Sequence, residues 1–330
     1  MIEKEFIFDN RWIGEHGIGR FAKEVQKSNL KLEEIKLAGN PAGKLDVLKL
    51  TFFLLINKNR YYFSPGYNAP ILCASRSIIT VHDLNHIDID SNSSFLKRVY
   101  YNYVLKRACK NALIVFTVSK FSKKRIVEWS GTSEEKVIVV GNGVSDEFNK
   151  DAVAYKNASP YILMVGNRKE HKNEDMALLA FLKAKISSDY QLLLTGDSSP
   201  KLIDILAKNN ASDRVKFLGK VTNKELASLY KGATCLLFPS LYEGFGLPVI
   251  ESMACGTPVI TSNTTSLPEV SEDAALLVNP NDLNEIIGAI EKIVNNADIR
   301  DSMVEKGYKQ AAKFQWSETR GIIENAISRL

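Results

Sequence analysis

Two glutamates eight residues apart are the feature of this sequence with the clearest chemical potential. Glu243 stands in a glycine-rich turn and Glu251 in an apolar run, within the segment LYEGFGLPVIESMACGTPVI (241–260). Because Pro248 suits the first turn of a helix, we expect a helix N-terminus here, whose unpaired N–H groups bind phosphate. One carboxylate on each side of that phosphate predicts a ligand with hydroxyls on both sides, such as a nucleotide sugar. The alternative is a solvated loop acid at Glu243 and a buried backbone cap at Glu251.

A second loop supplies positive charge. The segment VGNRKEHKNEDM (165–176) follows another apolar run and places Arg168 and Lys172 where a strand is expected to end. Cationic side chains can neutralise the two negative charges of a diphosphate without a metal ion. We therefore predict that this loop binds a diphosphate. Taken singly, each cation is better explained as a surface charge before a helix that Asn173 caps.

A histidine and an aspartate, His82 and Asp83, follow a third apolar run in TVHDLNH (80–86). His82 could donate a hydrogen bond to a substrate oxygen or act as a general acid or base. Zinc binding by His82 and His86 is disfavoured because the acid of an H-E-x-x-H motif is missing. The triplet DID (88–90) matches the D-x-D motif of metal-dependent sugar transferases. Such a short match arises readily by chance, and we predict a loop there.

Nucleotide cofactors and structural zinc are disfavoured by the spacing of the glycines and cysteines. The loop NRWIGEHGIGRF (10–21) carries three glycines, but their pattern is not G-x-G-x-x-G and no acidic residue ends the next predicted strand. NAD binding is therefore disfavoured, and the P-loop pattern is also absent from the sequence. The four cysteines are scattered without a C-x-x-C pair, so neither a disulfide framework nor a structural zinc site is indicated.

Composition and charge indicate a soluble globular protein that meets an anionic partner through its first half. The 330 residues are 45% apolar and 25% charged, which is ordinary for a globular protein of two domains. No secretory leader and no apolar stretch of roughly 18 residues is found, so we expect a cytoplasmic protein. Residues 1–150 hold 23 Lys+Arg against 16 Asp+Glu, a balance of +7, and residues 151–330 hold 20 against 22, a balance of −2. The basic, tyrosine-rich stretch 95–110 predicts either contact with anionic lipid or a solvated helix face.

The pattern of elements predicts two doubly wound, Rossmann-like domains facing a cleft. Short apolar runs alternate with helical patterns, which is typical of parallel sheets covered by helices. The runs predicted as strands are EFIFD (5–9), SIITVHD (77–83), LIVFTVS (113–119), KVIVVGNG (136–143), YILMVGN (161–167), YQLLLTG (190–196), RVKFLG (214–219), TCLLFPS (234–240), TPVITS (257–262) and AALLVNP (274–280). We place the domains at 1–152 and 153–330, with the C-terminal helix 316–330 packing back on the first. Ligands bind beyond the carboxyl ends of such strands, where the residues singled out above lie.

The motifs together resemble a known enzyme family. The segments EGFGLPVIESMACGTPVI, VGNRKEHKN, VHDLNH, TVSKFSK and VVGNGV, in this order, are similar to those of the retaining glycosyltransferases of family four, which have the GT-B fold. Within that family the chain most resembles bacterial mannosyl- and rhamnosyl-type transferases of lipopolysaccharide, polysaccharide and O-antigen assembly. The resemblance covers nearly the whole chain.

The resemblance implies a role for each matching position. Glu243 and His82 would lie at the donor sugar as catalytic residues, Glu251 would bind the ribose, and Arg168 and Lys172 would bind the diphosphate. The other matching donor-binding positions are Gly244, Phe245, Gly246, Leu247, Gly17, Gly19, Asn142 and Ser119.

Two positions depart from the family pattern. This chain reads EHKN where many relatives read PRKN, so the arginine role passes to Arg168 or is shared by His171. Glu272 stands where a glycine is common.

The resemblance also implies the reaction. A nucleotide-diphosphate sugar, with GDP-mannose as the leading candidate, would donate its sugar with retained configuration and without a metal or other cofactor. The acceptor would be a saccharide or a polyprenyl-diphosphate-linked saccharide at the inner face of the cell membrane, and no nucleic acid is expected as a partner. The alternatives are a UDP- or dTDP-sugar-dependent transferase, a phosphorylase or epimerase on the same plan, and a non-catalytic nucleotide-sugar-binding partner in an assembly complex. A dehydrogenase is the most distant alternative.

Overall fold

Two α/β units make up the chain. The computed structural model describes residues 5–89 and 95–330. The first unit comprises Met1–Gly143 together with Trp316–Leu330, and the second comprises Val144–Gln315. The C-terminal helix is thus part of the first unit, and the chain passes between the units twice, at 143–144 and at 315–316.

The first unit is built on a six-stranded parallel sheet. Its strands are β1 (Phe6–Phe8), β2 (Leu32–Glu34), β3 (Tyr61–Ser64), β4 (Ser77–Thr80), β5 (Ile114–Thr117) and β6 (Val137–Val139). They lie in the order β2-β1-β3-β4-β5-β6. The central strands β1, β4 and β5 are buried along their whole length, as a sheet covered on both faces requires.

Helices cover both faces of this sheet. They are α1 (Gly17–Gln26), α2 (Asp46–Ile56), α3 (Asn85–Asp88), α4 (Phe95–Val99), α5 (Lys106–Asn111), α6 (Lys120–Ser130) and α14 (Trp316–Ser328). A π-helical turn, Tyr100–Leu105, joins α4 to α5. On one side, Phe21 of α1 packs edge-on against Trp316 of α14, with ring centroids 6.5 Å apart.

A buried polar cluster ties the end of β1 to the start of α2. The Arg11 guanidinium donates to the carboxylates of Asp9 and Asp46 at 2.6 Å each, and both acids are almost fully buried. The Asn68 amide and the Tyr62 hydroxyl donate to the same Asp9 oxygen at 2.8 and 2.7 Å. Burial raises the pKa of Asp46 even though Arg11 opposes the shift. The cluster fixes the loop after β1 through charges that are paired rather than solvated.

The second unit repeats the plan. Its strands are β7 (Tyr161–Met164), β8 (Gln191–Leu194), β9 (Val215–Phe217), β10 (Cys235–Phe238), β11 (Val259–Ser262) and β12 (Ala275–Val278). All pairings are parallel, in the order β12-β11-β10-β7-β8-β9. The chain order reverses between β7 and β10, and a topological switch point of this kind is where open α/β sheets bind ligands.

The helices of the second unit flank its sheet. They are α7 (Glu174–Lys183), α8 (Pro200–Lys208), α9 (Asn223–Gly232), α10 (Leu247–Ala254), α11 (Leu267–Ser271), α12 (Leu283–Val294) and α13 (Ala297–Ala311). A core of apolar side chains joins α7 and α12 to one face of the sheet, with Phe181 and Ile290 fully buried within it.

The predicted fold class is confirmed: both units are doubly wound parallel sheets covered by helices. All ten predicted strands are present, but β2, β3 and α2 were not predicted. None of the helices within residues 5–89 and 95–330 combines the length and the hydropathy needed to span a membrane.

Candidate functional site

A carboxylate, an ammonium and a hydroxyl meet at the switch point of the second unit. Lys172 Nζ lies 2.7 Å from Glu243 Oε1, and the Ser240 hydroxyl lies 2.6 Å from the same oxygen. The Lys172 side chain is 14% exposed and that of Glu243 13%, so both are partly withdrawn from water. The ammonium also lies 4.8 Å from the centre of the Phe238 ring. Lys172 and Glu243 were predicted separately, and the structure brings them into direct contact.

Asn173 holds the Lys172 loop against the neighbouring strands. It adopts a left-handed backbone conformation with φ of 56° and stands at the N-cap of α7. Its side chain does not cap that helix, as the surface-charge alternative assumed, but donates to the carbonyls of Pro239 and Pro280 at 3.0 and 2.7 Å. The loop after β7 is thereby fixed to the residues that follow β10 and β12.

The Glu243 turn is held by hydroxyl side chains that follow β11. The Glu243 N–H donates to Thr265 Oγ1 at 3.3 Å. The Ser266 hydroxyl lies 2.9 Å from the Glu243 carbonyl and 3.0 Å from the Phe245 carbonyl. Because Ser266 is fully buried, these contacts fix the backbone of the turn and the direction in which the Glu243 side chain leaves it.

Gly246 permits the entry into α10. Its φ is +101°, and a Cβ at this position would lie 2.6 Å from Leu267 Cδ2. The helix begins at Leu247, with Pro248 in its first turn as predicted. Phe245 is buried and packs edge-on against Phe314 at 5.5 Å. The turn thus leads directly into a helix N-terminus beside Glu243, an arrangement suited to phosphate.

The Arg168 side chain contacts the start of α7 and the residues that follow β8, and not Glu243. Its guanidinium pairs with buried Glu174 at 2.6 Å and donates to the carbonyls of Thr195 and Asp197. Its backbone has φ of 62°, a conformation rare outside glycine and characteristic of strained functional loops. Close by, a Cβ at Gly166 would lie 1.7 Å from Glu174 Oε1. The predicted cationic pair is therefore divided: Lys172 contacts Glu243, and Arg168 is engaged by Glu174 and backbone carbonyls.

Glu251 is buried one turn into α10. Its side chain is 1% exposed, and the Tyr230 hydroxyl donates to Oε2 at 3.3 Å. Tyr230 in turn packs edge-on against Phe148 at 5.9 Å. The Glu251 carboxylate therefore lies inside the second unit, with a tyrosine hydroxyl among its hydrogen-bond partners.

In the first unit, His82 follows β4 as predicted, and its surroundings fix its tautomer. Nε2 lies 2.9 Å from the Pro65 carbonyl, which can only accept, so Nε2 carries the proton and Nδ1 is the acceptor. Desolvation lowers the pKa of His82 to about 4, with a smaller contribution from nearby His16. The ring packs edge-on against Phe21 at 5.0 Å. A neutral His82 at physiological pH can accept a hydrogen bond from a sugar hydroxyl.

In the glycine loop of the first unit, two backbone segments approach each other closely. Gly17 and Gly19 form the first turn of α1, and His16 Nδ1 caps it by accepting from the Gly19 N–H at 3.1 Å. A Cβ at Gly19 would lie 2.4 Å from the Gly14 carbonyl oxygen. Any larger residue at position 19 would displace this turn.

Ser119 and Asn142 occupy different environments. Ser119 is the N-cap of α6, and its hydroxyl accepts from the Ser122 N–H at 3.0 Å. Asn142 is 6% exposed, and within the described part of the chain its Oδ1 has no hydrogen-bond partner. A buried acceptor of this kind is costly unless a ligand or water satisfies it, which makes Asn142 the stronger candidate for a ligand contact.

The D-x-D triplet is only partly described. Asp88 ends α3 and pairs with Arg125 at 2.6 Å, whereas Asp90 lies outside the described residues.

Three hydroxyl residues of the site were missed at the sequence level: Ser240, Thr265 and Ser266. Ser240 is the last residue of a predicted strand, and Thr265 and Ser266 follow another, so the search for polar residues at strand ends could have found them. Their function in the site depends on long-range contacts that a local pattern does not contain.

Two family models match the chain. "Glycosyl transferases group 1" matches residues 145–310, and "Glycosyltransferase Family 4" matches residues 55–148. The first match contains Lys172, Ser240 and Glu243, and the second contains His82 and Asn142.

Relatives and solved structures agree with these matches. The chain is 36% identical to the O-antigen chain mannosyltransferase RfbU of Salmonella typhimurium, covering 85% of this chain and 77% of the relative. It is 29% identical to the O-antigen chain mannosyltransferase B of Escherichia coli, covering 83% and 75%. A crystal structure of Anabaena Alr3699/HepE in complex with UDP and glucose superposes with a TM-score of 0.76 at 15% identity, covering 99% of this chain and 100% of that one. At that identity the likeness concerns the fold.

Proposed function

Because this chain belongs to the family-four glycosyltransferases with the GT-B fold, we propose that it transfers mannose from GDP-mannose to a saccharide acceptor in cell-surface polysaccharide synthesis. The structural observation that supports this proposal most directly is the contact of Lys172 with Glu243 beside the N-terminus of α10. The choice of mannose rests on two relatives named as O-antigen mannosyltransferases.

We assign the donor diphosphate to Lys172 and to the backbone N–H groups at the start of α10. A lysine ammonium has three donors, so Lys172 can keep its 2.7 Å contact with Glu243 and still bind phosphate oxygens. The helix N-terminus adds a partial positive charge. Together they stabilise the leaving diphosphate as its bond to the sugar breaks.

We assign Arg168 to the shape of the loop rather than to direct phosphate contact. Its guanidinium is engaged by Glu174 and by two backbone carbonyls. Replacing Arg168 by alanine should therefore lower the melting temperature together with donor affinity, whereas a direct phosphate ligand would affect affinity alone.

Glu243 positions the donor sugar. Its carboxylate is held by Lys172 and Ser240, which leaves the second oxygen, Oε2, to accept from sugar hydroxyls. We propose front-face transfer, in which the bond from C1 to the phosphate oxygen breaks as the bond from C1 to the acceptor oxygen forms on the same face. The acceptor proton passes to the departing phosphate oxygen, and the anomeric configuration is retained. We also propose His82 as a catalytic residue, because its Nδ1 can accept a hydrogen bond from a sugar hydroxyl. Glu251, buried in α10, supports the nucleoside end of the donor from within the second unit.

We propose that transfer requires no metal ion, because Lys172 and the helix N-terminus supply the positive charge. Activity should survive EDTA. Complete loss with EDTA and recovery with Mn²⁺ would contradict this proposal.

The donor is tested by thermal shift with GDP-mannose, UDP-glucose and a dTDP-sugar, since a ligand that binds the folded state raises its stability in proportion to affinity. GDP-mannose should give the largest shift, and Glu243→Gln should reduce it. A larger shift with UDP-glucose would assign the donor to the UDP-sugars, one of which is suggested by the UDP and glucose in the Anabaena structure. Binding of a nucleotide sugar without transfer to any saccharide would favour the non-catalytic alternative.

A further inference from the structure

Both partly buried cations of the loop after β7 are paired with acids. Lys172 Nζ lies 2.7 Å from Glu243 Oε1, and the Arg168 guanidinium lies 2.6 Å from Glu174. The four side chains are between 6% and 18% exposed, so salt and water screen these pairs only weakly. Their charges cancel at the point where the proposed donor brings a diphosphate. A loop that served only to bind phosphate would gain from an unpaired lysine.

The Ser240 hydroxyl fixes the Glu243 carboxylate beside Lys172. Ser240 is fully buried, and its oxygen lies 2.6 Å from Glu243 Oε1 and 2.8 Å from the His171 carbonyl. A hydroxyl has one proton to donate, and the His171 carbonyl already accepts from the Leu241 N–H at 2.7 Å. The proton therefore goes to the carboxylate, with which it forms the stronger, charge-assisted bond. Oε1 thus receives donors from both Lys172 and Ser240.

The fixed carboxylate competes with a diphosphate for the Lys172 ammonium. Because the pair is largely withdrawn from water, Glu243 strongly reduces the positive potential that Lys172 presents to other anions. It also repels any phosphate oxygen that approaches the same ammonium. The Phe238 ring, whose centre lies 4.8 Å from Nζ, packs against the ammonium as well. A phosphate bound at Lys172 is therefore bound beside a negative charge.

A nucleotide sugar and a nucleoside diphosphate meet this carboxylate differently. The sugar hydroxyls of the donor can donate to Glu243 Oε2, and these charge-assisted hydrogen bonds offset the repulsion of the phosphates. The nucleoside diphosphate that remains after transfer has lost those hydroxyls. Its terminal phosphate has also gained an ionisable oxygen, which increases the repulsion. The same carboxylate therefore favours the loaded donor and disfavours the spent one.

We propose that Glu243 makes the site discriminate against the spent nucleotide: its carboxylate weakens the binding of the nucleoside diphosphate and so speeds its release after transfer. The inference rests on the proposed function, because only a transferase leaves a nucleoside diphosphate in this site. It goes beyond that function by assigning the contact of Lys172 with Glu243 to product release as well as to donor binding. Ser240 is then a positioning residue, which acts by fixing the carboxylate.

The test is calorimetric titration of the full chain with GDP and GDP-mannose, and in parallel with UDP and UDP-glucose. Glu243→Gln keeps the shape of the side chain and removes its charge. Its Kd for GDP should fall by at least about fivefold, the lower end of the usual range for coupling between two groups. Its Kd for GDP-mannose should rise, because a neutral amide accepts a weaker hydrogen bond from the sugar. Ser240→Ala should change both constants in the same directions and to a smaller extent, whereas mere structural damage would weaken both ligands.

Glu170→Gln is the matched control. Glu170 is an exposed acid two positions from Lys172, so this variant removes the same charge from the same loop and leaves the pair intact. Both of its constants should match those of the wild type. An unchanged or raised Kd for the nucleoside diphosphate in Glu243→Gln, or an equal fall in Glu170→Gln, would overturn the inference.

The parallel titrations separate this inference from the choice of donor. If the wild type binds UDP and UDP-glucose instead, the proposed donor is wrong, and the same opposite changes in Glu243→Gln with those two ligands would still support the inference. A wild type that binds none of the four ligands would refute the proposed function and the inference together.

Discussion

Replacing Lys172 by methionine isolates its charge from its packing. The methionine side chain can still lie against the Phe238 ring, which the ammonium approaches at 4.8 Å, but it cannot contact Glu243 or a phosphate. A hydrogen bond to a charged group contributes about 1.5–3 kcal/mol. The dissociation constant for GDP should therefore rise by roughly 10- to 150-fold. The Lys172 and Glu243 side chains are only 14% and 13% exposed, so removing the ammonium should also destabilise the folded state.

Calorimetric titration with GDP and with GDP-mannose measures this change. Lys169→Met is the matched control, because Lys169 is an exposed lysine on the same loop and should leave GDP affinity unchanged. Equal affinities for GDP in the wild type and the Lys172 variant would refute the assignment of Lys172 to the diphosphate. So would an equal loss in the Lys169 control.

Three further predictions concern stability. His82 has a pKa of about 4 when folded against about 6.5 unfolded, so the unfolded chain binds more protons between these values. The free energy of unfolding of the wild type should therefore fall by about 2 kcal/mol between about pH 7 and about pH 5. In urea titrations, the free energy of unfolding of His82→Gln should fall much less over the same pH range. Gly246→Ala should cost about 1–3 kcal/mol, because it forces a Cβ onto Leu267 at a positive φ, and an unchanged melting temperature would contradict this. Arg11→Met should cost about 3–5 kcal/mol, because Asp46 and its neighbouring carboxylate lose their buried partner; urea unfolding that matches the wild type would show that the pairing contributes nothing.

The fold was predictable where local sequence carries the signal. Central strands such as β5 and β10 are short apolar runs bounded by polar residues, which is the pattern of a strand buried on both faces. Strand β2 has the sequence LEE and lies at the sheet edge, where exposed acidic side chains are tolerated, so no hydrophobic pattern marks it. Helix α2 was missed for the opposite reason, because its sequence is apolar on both faces and lacks helical periodicity.

The candidate site was predictable in its residue types but not in its contacts. The expectation that polar residues after parallel strands lie at one edge of a sheet put Lys172 and Glu243 on loops at the same edge. Their direct contact, across 71 positions of the chain, was not predicted. The same expectation could not show that Arg168 would turn to Glu174, because that choice depends on the left-handed backbone at Arg168 and on the carbonyls beyond β8. The burial of Glu251 likewise depends on the packing of Tyr230 from α9.

The most direct test of mannosyl transfer is NMR analysis of the product formed from GDP-mannose and a short mannoside acceptor. The wild type should form a new mannosidic linkage with the α configuration of the donor retained, and Glu243→Gln should reduce its rate by at least tenfold, on the order expected when a charged positioning contact is lost. A product of inverted configuration would contradict the proposed mechanism. A Glu243→Gln variant as active as the wild type would contradict the function assigned to the site.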